Sequence, residues 1–140
     1  VYWIYGDPTP IANIPATGTF TYTAAGGALL GRAFDGDLSV GSGLQISVNF
    51  SNQTFTGGFN MTSNSGATTW TYNFDGGMDG AELFTNSASG IANVSGTSHN
   101  LDAAVDATLI GTSAGGIIGS FKGKSTTDNG VYSNGVFFLQ

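Results

Sequence analysis

Cysteine is absent from this chain of 140 residues, so no disulfide stabilises it and no thiolate is available as nucleophile or metal ligand. Basic residues are nearly as scarce. Arg32, Lys122 and Lys124 stand against nine Asp and Glu, for a net charge of −6. Three cations cannot track a phosphate backbone, which argues against nucleic acid as a partner. The same shortage argues against docking on anionic lipid heads. No apolar run approaches the roughly 20 residues of a spanning helix. Charged residues make up only 9% of the chain, and its polar positions are filled by Thr, Ser and Asn. Helical domains carry more Glu, Lys, Arg, Leu and Ala, whereas Thr suits a pleated, half-exposed surface. There is no initiating Met and no signal peptide, which predicts a mature product or excised domain whose export signal lies elsewhere.

What the chain does contain is Phe, Trp and Tyr at 12% and 23 glycines, enough apolar material for one core in a single domain. Ile46, Val48 and Phe50 alternate with Gln45, Ser47 and Asn49. After a turn at 51–53, Phe55, Gly57, Phe59 and Met61 share one face; after another at 64–66, so do Trp70, Tyr72 and Phe74. Three period-2 segments joined by short polar turns read as a β-meander. Further strands are expected at 17–23, 91–94, 105–110, 116–123 and 131–139, with Gly-rich loops or bends at 25–31, 75–80 and 111–116. About eight to ten strands at this spacing make an all-β sandwich or barrel. Gly57 and Gly119 fall on the apolar register, where tightly coiled barrel strands need room, and this favours the barrel.

The expectation is therefore a single small, soluble, antiparallel up-and-down β-barrel of about eight strands at 15–140. An extra aromatic N-terminal strand and a Pro-containing linker precede it at 1–14. A membrane-spanning barrel shares the period but needs strands of roughly 9–11 residues, longer than the seven or eight counted here.

Several stretches also resemble a known family. Residues 48–57, VNFSNQTFTG, look like the "V-D-F-x-N-x-T-hydrophobic-x-G" strand pair of the transferrin-binding protein B type barrel, with Asn49 where the family carries Asp. PATGTFTYT at 15–23 is similar to the opening strand of related bacterial barrels, including those that follow FecR-type domains. GIIGSFKG and GVFFL near the end look like the family's closing pair. The resemblance implies an exported bacterial surface or lipoprotein barrel that scaffolds protein-binding loops or acts as a spacer.

Chemistry-bearing residues are few. His99 is the only histidine, a general base or haem ligand in one reading and a solvated loop residue in the other. No serine sits in a G-x-S-x-G elbow followed by a plausible Asp and His order, so no catalytic set is expected. Asp75, Asp79 and Glu82 in a Gly-rich stretch could hold Ca²⁺ or form a solvated turn; no other cofactor is implied. Tyr2, Trp3, Ile4 and Tyr5 could pair within the barrel or insert into a neighbouring copy, as donor strands do. The expected role is non-enzymatic binding or assembly at a bacterial surface, with a protein partner or self-association. Recognition is expected in segments 24–31, 75–87 and 97–103. A filament subunit and a carrier of a small apolar ligand are the alternatives.

Overall fold

The computed structural model describes every residue except Val1, Ala25, Gly26 and Ser42. Among the described residues eleven strands occur: β1 Thr19–Thr23, β2 Ala28–Ala33, β3 Gly36–Asp37, β4 Ser39–Val40, β5 Gln45–Asn49, β6 Thr54–Ser63, β7 Thr68–Asp79, β8 Glu82–Val94, β9 Thr97–Ile110, β10 Gly116–Ser125 and β11 Tyr132–Leu139. Every pairing is antiparallel, in the order β1-β5-β6-β7-β8-β9-β10-β11-β2-β3, and β4 also pairs with β6.

These eleven pieces make eight staves. β1 and β2 are one interrupted staff, and β3, β4 and β5 are a second. β11 pairs with β2 and then reaches β1, where Thr23 and Gln140 exchange two backbone hydrogen bonds of 2.9 and 3.3 Å. β3 continues into β4, which lies on β6. The sheet thereby closes on itself, which removes most of the open edge that would template aggregation.

Alternation sets the two faces. Ile46, Val48, Phe55, Phe59, Met61, Trp70, Tyr72, Val105, Leu109, Ile117, Phe121 and Phe137 are all buried. The intervening Thr56, Asn60, Thr69, Asn73, Asp102 and Lys122 are exposed. Phe59 sits at the hub, its ring centroid 4.9 Å from Phe137, 5.0 Å from Phe74, 5.6 Å from Phe121 and 6.4 Å from Tyr72. Edge-on contacts of this kind add to burial because the electropositive rim of one ring meets the face of another. Glycines make room for these rings. Gly57 is the cross-strand partner of Phe74, and Gly119 that of Phe137. A Cβ at either glycine would collide with that ring.

Several expectations need correction. Strands β6 to β10 run 10–14 residues, not seven or eight. Strand length therefore does not argue against a spanning barrel; the burial pattern does, because the apolar face points inward. No helix among the described residues is long and apolar enough to cross a membrane. Segment 75–80, expected as a loop or bend, is strand as far as Asp79 with a register shift between Asp75 and Gly76, and the recognition loop expected at 75–87 is mostly β7 and β8 around a short turn. Segment 97–103 likewise lies inside β9. Segment 24–31 is in part β2, and two of its residues, Ala25 and Gly26, lie outside the described set.

The N-terminal strand is also corrected. Residues 2–7 form no ladder, and the segment joins the sheet through a single bridge, Pro8 to Ile110. Val1 lies outside the described residues. Pro8 and Pro10 flank the one hydrogen bond that Thr9 donates, to Leu109 O at 2.9 Å. Without amide hydrogens the prolines cannot extend a ladder.

Candidate functional site

The hub rings pack against one another in the barrel's middle, and hydrogen bonds tie strands together at each end. At one end, Tyr22 Oη donates to Ala114 O across 2.7 Å, fastening β1 to the β9–β10 loop. At the other, Asp35 in the β2–β3 turn accepts from Ser63 Oγ and Thr68 Oγ1, both at 2.6 Å. Ser63 Oγ in turn accepts from Trp70 Nε1 at 2.9 Å. A carboxylate holding two hydroxyl donors is a strong tie. Tyr72 Oη and Ser133 Oγ, 2.5 Å apart, span the barrel inside that end. Burial pushes the phenols of Tyr22 and Tyr72 up to about 12, because the charged form would lose its hydration. These contacts leave packed side chains where an apolar-ligand carrier would need a chamber.

His99 is not placed for catalysis. Its Nδ1 lies 3.2 Å from Ser125 Oγ, the spacing of a base and a nucleophile. Ser125, however, is buried, and its Oγ accepts the amide hydrogens of Thr127 and Asp128 at 3.2 and 3.1 Å. The hydroxyl thus closes the β10–β11 turn.

The acidic residues do not converge. Asp79 and Glu82 are cross-strand partners at the β7–β8 turn, whereas Asp75 lies four residues back on β7, beside Ser87. Four residues of strand span about 13 Å, too far for one cation with ligands at 2.3–2.6 Å. Glu82 accepts from Thr108 Oγ1 at 3.2 Å. Among the described residues no cluster of three His, Cys, Asp or Glu could hold a metal.

The N-terminal aromatics lie on the outer wall of their own barrel. Gly6 packs on the side chains of Ile110 and Ile118, at 3.1–3.3 Å from where a Cβ would be. Tyr2 and Ile4 are half-buried and border depressions whose other walls include Asp106, Ser120 and Val136. Val136 faces outward yet is only 8% exposed. Trp3 and Tyr5 take the opposite phase and are 81% and 79% exposed. The segment is a strap over an outward apolar stripe of Ile110, Ile118 and Val136.

Sequence reasoning missed that stripe, although a signal was present. Val136-Phe137-Phe138-Leu139 and Ile117-Ile118 do not alternate. A strand apolar on both faces is a strand covered on both faces. Nothing in the local sequence marks the reach of Asp35 to Ser63 and Thr68.

No protein-family model matches the chain, and no curated protein matches it. Solved structures do. A transferrin-binding protein B variant from Haemophilus parasuis superposes over 95% of this chain and 27% of its own, with 17% identity and a TM-score of 0.54. Intact Ap-TbpB, with N and C lobes, gives 18% identity and 0.54 over 95% and 28%. The isotype 1 protein from serogroup B Neisseria meningitidis gives 19% and 0.51 over 95% and 28%. The chain thus spans little more than a quarter of these proteins. At such identity the likeness establishes the fold: a barrel of the transferrin-binding protein B type, as the motifs at 15–23, 48–57 and the C-terminal end implied.

Proposed function

We propose that this chain is a non-enzymatic barrel domain of the bacterial cell surface or extracellular space, and that it binds a protein partner through its outer surface. The observation that carries this is the ring-packed, end-tied interior within a fold shared with transferrin-binding proteins. Where rings occupy the middle of a barrel, its walls and rims are what it offers a ligand. The shared fold supports the surface setting as an analogy between scaffolds, and the exterior of this chain supplies the specificity. The test is location. Expressed in a bacterial host with an export signal and lipid anchor, the domain should be removed from intact cells by added protease and labelled by antibody without permeabilisation. Native material confined to the cytosol of its own organism would contradict the reading.

Self-association is a second reading, favoured by the strap. Held by one bridge and bearing exposed Trp3 and Tyr5, it could leave its own wall and cover the same stripe on another copy, at little net cost in contacts. Light scattering of the chain with and without residues 1–7 tests it. Loss of a concentration-dependent oligomer on deletion supports exchange, and an unchanged monomer refutes it.

A further inference from the structure

The fold collects the chain's three cations on one face. Lys122 and Lys124 point outward from β10, while their neighbours Phe121 and Gly123 are buried. The ladder sets Lys122 opposite Asn134 on β11, and Asn134 opposite Arg32 on β2. Lys124 stands opposite Tyr132. Neighbouring strands lie about 4.8 Å apart and a strand rises about 3.4 Å per residue, so the backbones under all three cations fall within about 10 Å of Lys122. These residues are far apart in sequence, at 32, 122 and 124. Only closure of β11 onto β2 unites them. On a chain of net charge −6 this gathers every basic side chain in one place, with Asp37, Asp102 and Asp106 at its border.

Its borders restrict what can bind. Lys124 has Asp102 beside it on β9, and Arg32 has Asp37 beside it on β3. Lys122 meets Ala104 and Asn134 directly across the ladders, with Asp102 and Asp106 two residues to either side of Ala104 and Tyr2 of the strap at a neighbouring depression. The small Ala104 leaves a depression of about 310 Å³ lined by Asp102, Ala104, Lys122, Lys124, Tyr132 and Asn134. Tyr132 is 44% exposed at its rim.

We propose that this depression binds carboxylated sugar units of an acidic polysaccharide. A uronic-acid ring carries one carboxylate, several hydroxyls and an apolar C–H face. Lys122 offers the charge-assisted donor for the carboxylate. Asn134 and Asp102 offer a donor–acceptor amide and a strong acceptor for hydroxyls. Tyr132 offers a flat apolar surface for the C–H face. The volume suits one or two rings and sits at the small end of ordinary ligand sites. A nucleic acid fits worse, since its dense phosphates would meet Asp102 and Asp37. An acidic peptide would leave the aromatic surface and the hydroxyl acceptors without use. The site is independent of the protein-partner reading and uses none of the strap's exposed aromatics.

The experiment is a titration of the ¹⁵N-labelled full chain with trigalacturonic acid, with maltotriose as the neutral ring control and hexaglutamate as the ring-free anion. Amide shifts should concentrate at Lys122, Lys124, Tyr132 and Asn134 with trigalacturonate. Both controls should bind at least about tenfold more weakly, the scale of one lost charge-assisted or stacking contact. Lys122→Ala and Tyr132→Ala should each weaken binding about tenfold while leaving the rest of the spectrum, and so the fold, unchanged. No shifts at millimolar trigalacturonate would overturn the proposal. So would equal binding of hexaglutamate or maltotriose, or Lys122→Ala binding as well as the parent.

Discussion

Two aromatic segments of this chain have opposite fates. Trp70, Tyr72 and Phe74 lie in the core, whereas Trp3 and Tyr5 stand in water on a strap that joins the sheet at one point. Both segments are rich in rings and both are extended. The distinction is the intervening residue. In WTYNF the alternate positions are Thr71 and Asn73, so only one face can go inward. In YWIY every position is apolar or aromatic, so alternation selects no face, and two of its three rings stay outside. Period-2 oiliness specifies a buried strand only when the other phase is polar.

That contrast can be broken from the core side most forcefully by alkali. Folding raises the Tyr22 and Tyr72 phenols from 10.0 to about 12. Their neutral form is what the barrel stabilises, so this contribution is complete below about pH 10 and drains away as pH rises through about 12. Unfolding should begin above pH 10, with tyrosinate absorbance from these two phenols appearing together with loss of the β-sheet circular dichroism signal.

Phe59→Ala comes next. Removing the hub ring should cost about 3–5 kcal/mol in urea unfolding, since four neighbouring rings cannot all collapse into the void. Gly57→Ala should cost about 1–3 kcal/mol by forcing the Phe74 ring aside. Asp35→Ala should cost about 1–3 kcal/mol by stranding Ser63 and Thr68. On the strap, Trp3→Ser should change stability by less than about 0.5 kcal/mol, as exposed sites do. A Trp3 cost equal to that of Phe59 would erase the contrast.

Much of the barrel was legible from residues alone. Strands β5, β6 and β7 stand where Ile46–Phe50, Phe55–Met61 and Trp70–Phe74 alternate, and Gly57 and Gly119 lie under rings as their register implied. β8 was seen only at its end, because NSAS at 86–89 has no large apolar residue and its hold on the sheet comes from β7 and β9 on either side. The outward stripe and the cation patch were less readable. Each joins residues from distant strands whose adjacency is set by closure of β11 onto β2, and local pattern does not encode closure. The acidic residues show the reverse: adjacency in sequence did not become convergence, because a strand spreads successive side chains along its length.

The account stands on the apolar face being turned inward and filled. The most direct measurement is acrylamide quenching of Trp70 fluorescence in Trp3→Phe, which leaves Trp70 as the single tryptophan. Blue-shifted emission that resists acrylamide until the chain unfolds is the predicted result. Red-shifted emission quenched as readily as free tryptophan would mean that Trp70 meets water, and the solid barrel would be wrong.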